Sequence, residues 1–459
     1  EEAKKAEEAK AAEEAKKAEE AKAAEEAKKA AEEKAKRREE NKKRMQAEHK
    51  KVIEQGLASL ATHEVGHTLG LRHNFKQSAL HTLDEINDAS RWTERGYVGS
   101  IMEYAPINIM PKGRTQGDYF SVHLGDYDLW VIEYGYRVYP GKSTDSELAE
   151  LKKLAAQQTK PELNYATDED AYGTTVDPYV NIWDLGSSPL EYAKVRAELV
   201  EQLLPNLNDN IVEPGQSYEI LRSRFNSLVS WKGNGMQMAA RYIGGMQINR
   251  DFKGDENARM PFVVVPAKDQ REAMALLNEK VFGVNSYDLP QQIFNYLAPN
   301  RWYHWGSTVP SRYDTDVHAT ILSWQTSILS TLLSTTTLSH LADAELRVAP
   351  GEDVFTSAEM IESLTDAIFK EITESANAAN NRKEGETPAA TQIKSTRRNL
   401  QRAYLDRLVS FATDVTGGVG KADFGALARM QLRKVRGNID AALKGGAQFD
   451  AYTRAHMEE

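Results

Sequence analysis

Cysteine is absent from all 459 residues, which excludes a disulfide framework, a thiolate-held zinc or iron–sulfur centre and a thiol nucleophile. Any metal must therefore be held by His, Asp, Glu or Tyr. A surplus of positive charge is absent too: Lys and Arg total 58 against 68 for Asp and Glu, a formal net charge of −10. That balance leaves no cations to neutralise phosphates, so nucleic acid and anionic lipid are not expected partners. No apolar run reaches about 18 residues, the length a membrane-spanning helix needs. The composition is 41% hydrophobic. That supports a sizeable core, excludes a collagen-like or fully disordered chain and, at this length, suggests two or three domains.

The first segment is low complexity. Glu1–Ala12 recurs as Glu13–Ala24, and a third copy starts at Glu25. Ala, Glu and Lys all favour helix, and Glu1 precedes Lys4 and Lys5 at the spacing of intrahelical ion pairs. With no large apolar residue before Met45, neither a coiled-coil seam nor a core face is available. Residues 1–44 read as a solvated helical spacer, with a partner-binding helix as the second reading. From Met45 the pattern changes: Met45, His49, Val52, Ile53, Leu57 and Leu60 recur three and four apart, predicting a buried helix face that runs toward His63.

The informative string is His63-Glu64-Val65-Gly66-His67-Thr68-Leu69-Gly70-Leu71-Arg72-His73. On a helix His63 and His67 lie one turn apart on one face, and Glu64 projects beside them. Gly70 can take the left-handed conformation that ends a helix, turning the chain so that His73 becomes a third ligand. Three neutral nitrogens with an open position suit a catalytic Zn²⁺, with Glu64 as general base. His81, His123, His304, His318, His340 and His456 have no partner at ligand spacing and read as surface or packed residues. Asp168, Glu169 and Asp170 lack the alternating spacing of a calcium loop, so no site is assigned to them. Trp302, Tyr303, His304 and Trp305 read as core packing or an inter-helix seam, with the lining of a groove as the second reading.

The elongated motif, followed by Ser100-Ile101-Met102-Glu103-Tyr104, resembles the metzincin clan of zinc endopeptidases, whose motif precedes a methionine-containing turn. The resemblance implies that Met102 underlies the metal as an apolar floor. It also makes Tyr104 a candidate transition-state stabiliser, the other reading being a packed turn tyrosine. The stretch from Asp128 through Ile132 to Tyr134-Gly135 looks like the clan's closing helix. Further blocks narrow the match: His73-Asn74-Phe75, Ala105-Pro106, Gly117-Asp118-Tyr119-Phe120, Thr167-Asp168-Glu169-Asp170, Asp184-Leu185-Gly186, Asn249-Arg250-Asp251-Phe252 and Tyr452-Thr453-Arg454-Ala455-His456. Over about residues 57–459 these resemble a large bacterial family called zinc-dependent metalloprotease, with a long helical C-terminal region of unassigned role. That implies a periplasmic or secreted location, although no signal peptide is visible.

One departure stands out. In metzincins a twisted sheet precedes the zinc helix and receives the peptide as an added strand. Residues before Met45 show no strand pattern, so the chain reads as a truncated or fused form. The apolar side of the zinc helix is then expected to need a partner helix or upstream domain.

The expected fold is predominantly α: a charged spacer over 1–44, a metzincin-like zinc-site region over 45–140 and a helical region over 141–459. Predicted helices are Leu129–Tyr134, a capped run from Ser188 to Leu204, Tyr218–Tyr242, Lys268–Phe282, Val317–Leu341, Ser357–Ser375, Gln392–Thr413 and Lys421–Leu443, and Phe262–Val265 is the best strand. The expected function is zinc-dependent hydrolysis of peptide bonds in peptide or protein substrates. The alternative is a non-catalytic helical binding or scaffold protein with a structural or vestigial zinc site. If the repeat is a solvated spacer, deleting residues 1–40 should leave zinc content and the main melting transition almost unchanged. A fall of many degrees or loss of zinc would overturn that reading.

Overall fold

The computed structural model describes residues 43–141, 143–172, 176–290, 292–300, 304–308, 312–381, 390–414, 421–445 and 448–459, with isolated helical positions between 25 and 40. Most of the Glu1–Lys36 repeat, together with Trp302 and Tyr303, lies outside the described residues. The chain divides into two units, Glu1–Thr62 and His63–Glu459.

In the first unit residues 43–62 are helical. The predicted buried face is not buried: Met45 is 69% exposed, and Ile53, Leu57 and Leu60 are exposed as well. Hydrophobic spacing identifies which side chains share a face and carries no information about what covers it.

The second unit is predominantly helical. Helical residues 63–68 come first, and the helices of eight or more residues that follow are α1 (Asp126–Tyr136), α2 (Leu148–Ala155), α3 (Pro189–Leu203), α4 (Glu219–Ala240), α5 (Ala267–Lys280), α6 (Val317–Leu332), α7 (Thr335–Arg347), α8 (Ser357–Ile368), α9 (Lys370–Asn380), α10 (Ser395–Thr413), α11 (Lys421–Lys444) and α12 (Ala451–Glu458). Two predicted spans, Val317–Leu341 and Ser357–Ser375, each break into two helices. At the first break the Ser334 side chain accepts from the Thr337 amide, restarting the chain as α7. The best strand, Phe262–Val264 (β2), pairs antiparallel with Met246–Ile248 (β1), Met246 opposite Val264. Ala390–Thr391 (β3) and Gln448–Phe449 (β4) form a short parallel pair. Trp305, expected in a core or seam, is 95% exposed. No helix among the described residues is long and apolar enough to cross a membrane.

The largest core gathers Ala193, Met236, Leu277, Leu332, Leu364, Leu400, Phe424 and their neighbours from α3 through α11. A smaller core of Leu83, Ile86, Tyr97, Val98, Leu185, Tyr192, Val195 and Met238 joins the loop-rich segment that follows the zinc motif to α3 and α4. This second core carries the site on the helical body.

Arg397, in the first turn of α10, ties several helix ends together. Its Nε donates to Glu371 Oε1 at 2.7 Å, and its Nη2 reaches the carbonyls of Ala367 (2.9 Å) and Ile368 (2.8 Å) at the end of α8. Its Nη1 donates to the Phe282 carbonyl, just beyond α5. One buried cation thereby satisfies carbonyls that helix termini leave open and pairs with Glu371 of α9. Replacing Arg397 by Ala should cost about 3–5 kcal/mol in urea unfolding, because Glu371 is left buried and unpaired. A change below about 1 kcal/mol would show that the network contributes no net stability.

Candidate metal centre

The helix carrying His63, Glu64 and His67 ends at Gly70, whose φ of +85° is open to glycine at little cost. The Leu71 amide returns to the Gly66 carbonyl (3.1 Å), and the chain reverses toward His73. Gly66 matters for a second reason: a Cβ there would collide with Met102 Sδ, so glycine lets the helix sit directly on the methionine without displacing its thioether. Met102 is fully buried beneath it.

One ligand nitrogen from each of His63, His67 and His73 lies within 4.8 Å of the others, and this is the sole such group of His and acidic residues among the described residues. The ring centres of His63 and His67 are 4.7 Å apart, and those of His67 and His73 4.8 Å. Each Nδ1 is engaged by an oxygen: Ile101 O for His63 (2.7 Å), Leu71 O for His67 (2.9 Å) and Asp168 Oδ1 for His73 (2.7 Å). A carbonyl oxygen can only accept, so Nδ1 of His63 and His67 carries the proton and Nε2 keeps its lone pair. His73 Nε2 is buried without any hydrogen-bond partner. Burial, reinforced by the neighbouring imidazoles, lowers the His63 pKa and favours the neutral form a metal requires, against the Ile101 hydrogen bond. A donor set of three imidazoles, one with an orphaned buried nitrogen, fits a zinc ion.

Asp168 reaches His73 from a short helix (Asp168–Ala171) nearly a hundred residues later in the chain. Its second oxygen accepts from Arg72 Nη2 at 3.3 Å, and Glu169 accepts from Arg72 Nη1 at 3.0 Å. Burial opposes its ionisation, yet the hydrogen bond and charge of His73 hold the Asp168 carboxyl below the usual range. Asp170 pairs instead with Arg250 at 2.6 Å. Within the acidic run, Asp168 is therefore the clamp on the third histidine. Its only trace in the sequence is a family-specific block, because no spacing rule links residue 168 to residue 73.

Asp128 of α1 performs the equivalent task for the methionine turn. It accepts from Ser100 Oγ (2.6 Å), the Ile101 amide (2.9 Å) and the Gly125 amide (2.8 Å). Ile101 in turn presents its carbonyl to His63. Buried Asn74 closes the ring: its amide donates to the Met102 carbonyl (3.1 Å), and its side-chain oxygen accepts from the Ala166 amide (3.2 Å). Behind the turn, Glu103 and Asp184 form a buried carboxyl pair. Burial raises both, and the Asp184 charge raises Glu103 further.

Tyr104 packs its ring 4.4 Å from that of His73 and 5.3 Å from that of His63. Burial, followed by the Tyr172, Asp168 and Glu64 charges, raises its phenol pKa. Glu64 is exposed beside the histidines.

This arrangement defines a metallopeptidase-type histidine centre floored by a methionine turn. Over residues 45–376 the sequence matches the family described as Met-zincin, and the chain belongs to that family. No curated protein and no solved structure matches it.

Asp168→Ala should weaken zinc affinity about 10- to 100-fold in competition with a chromophoric chelator, since the ring of His73 loses its orienting acceptor. Unchanged affinity would show that the clamp does not support the metal.

Proposed function

We propose that the protein is a zinc-dependent endopeptidase that hydrolyses peptide bonds in peptide or protein substrates, with His63, His67 and His73 holding the metal. The observation that carries this reading is the convergence of three imidazoles, each with Nδ1 turned to an oxygen, beside an exposed Glu64. Zinc bound there would acidify a water toward pKa ~7 and polarise a substrate carbonyl.

Glu64 follows His63 directly on the helix and accepts the proton as the water attacks, then delivers it to the departing amine. The Tyr104 hydroxyl donates a hydrogen bond to the substrate oxygen as it gains negative charge. Met102 gives the histidines an apolar floor with no competing donor. Family membership supports the reaction class, and the resemblance to extracytoplasmic bacterial enzymes supports a periplasmic or secreted location.

Hydrolysis of unfolded casein, expressed per bound zinc, tests the assignment against a Glu64→Gln control. The amide keeps the shape and the metal but cannot take a proton, so activity should fall about 10²- to 10⁴-fold. A variant that keeps more than about a tenth of the rate would rule out Glu64 as the base, since general-base catalysis is worth far more than that. Zinc binding with no hydrolysis by the unsubstituted chain would favour a scaffold that uses its zinc structurally.

A further inference from the structure

Beside the histidine site lies a cavity of about 740 Å³, walled by Pro106 and Ile107 just after the methionine turn and by residues of α3 and α4. Trp183 lines it and also stacks on Tyr104, ring centres 5.6 Å and planes 16° apart. The cavity therefore shares a wall with the ring that packs against His73.

Two features of that wall are unexplained by packing. Trp183 is 53% exposed and has a φ of +67°, in the left-handed region that bulky side chains rarely adopt. Its amide donates to the Tyr104 carbonyl (3.0 Å), which couples this strained residue to the site. The indole is thus exposed to the cavity while its backbone is strained.

The second feature is Arg196, only 4% exposed and lining the same cavity. Its Nε donates to the Tyr192 hydroxyl (2.6 Å), its Nη2 to the Ile107 carbonyl (2.8 Å) and its Nη1 to the Ile109 carbonyl (3.5 Å). The guanidinium also lies 4.9 Å from the Tyr192 ring centre and 5.2 Å from that of Trp231. All these neighbours are neutral. Among the described residues no carboxylate pairs with Arg196, although the buried cations Arg397 and Lys232 have Glu371 and Glu201. A buried, uncompensated charge is costly, and a planar fork held between aromatic rings is oriented in advance for a carboxylate.

We propose that this cavity is a substrate subsite that binds a peptide carboxylate through Arg196, with an adjoining apolar or aromatic side chain resting on Trp183. Asn226 and Asn234 on α4 supply amide groups for the peptide backbone. The carboxylate belongs either to a chain terminus or to an acidic side chain, and the two share the same chemistry. That the ligand is a substrate rests on the peptidase reading above; carboxylate binding itself does not.

The test is calorimetric binding of three peptides to the full chain, with and without zinc: N-acetyl-alanyl-phenylalanine with a free terminus, its C-terminal amide, and N-acetyl-glutamyl-phenylalanine amide. At least one carboxylate-bearing peptide should bind tenfold or more tightly than the uncharged amide, and whichever does so identifies the source. The preference should persist without zinc. It should shrink to within twofold in Arg196→Gln. Asn234→Asp, which supplies a carboxylate to the cavity while leaving Arg196 in place, should abolish it equally, and Trp183→Ala should weaken all three peptides severalfold. Equal binding of the three peptides would overturn the proposal. So would a preference that survives both Arg196→Gln and Asn234→Asp, or one that appears only with zinc. Absence of casein hydrolysis alongside a zinc-independent preference would overturn the peptidase reading and leave the carboxylate site standing.

Discussion

Three imidazoles can share one metal only if their rings are held with the correct nitrogen free, and the site is organised around meeting that demand. Each Nδ1 is occupied by an oxygen from a different part of the chain: Ile101 in the methionine turn, Leu71 just past the helix, and Asp168. Ordering the rings beforehand removes rotamer freedom that metal binding would otherwise have to freeze. The supporting shell is longer in sequence than the motif it supports, since it draws on residues 71 to 168.

That requirement explains features that look unrelated in isolation. Asp128 fixes the turn whose carbonyl orients His63, and Gly66 removes the Cβ that would push Met102 away from the helix. Asn74 links the motif, the turn and the segment around Ala166 in one hydrogen-bonded corner. Arg72 pairs with Asp168 and Glu169, and Asp168 in turn holds His73. Each of these contacts draws on residues outside the three histidines, so the motif alone is not the site.

The helical region contributes to this corner and is more than an appendage to it. Leu185, Tyr192, Val195 and Met238 form one core with Leu83, Ile86, Tyr97 and Val98. Arg196 on α3 donates to the carbonyl of Ile107. The segment that follows the methionine turn is therefore positioned by α3 and α4, and the cavity beside the histidines exists only because those helices supply its second wall.

Much of the architecture is local in origin and hence visible in the residues. Ser188 followed by Pro189 starts α3 because a side-chain cap and a fixed φ are properties of neighbouring residues. The four-residue spacing of His63 and His67 sets them on one helix face, and Gly70 ends that helix for reasons of its own backbone. The division of Val317–Leu341 and Ser357–Ser375 into helix pairs was less visible, since apolar periodicity continues across a short break. Exposure of Met45, Ile53, Leu57 and Leu60 was not legible at all, because a pattern names a face and never its cover. The clamp of Asp168 on His73, the grip of Asp128 on the turn, the buried Glu103–Asp184 pair and the strained Trp183 beside Arg196 were decided only in three dimensions. Each joins residues with no periodic relation, and only the packing of helices on a shared core brings such groups within hydrogen-bonding reach.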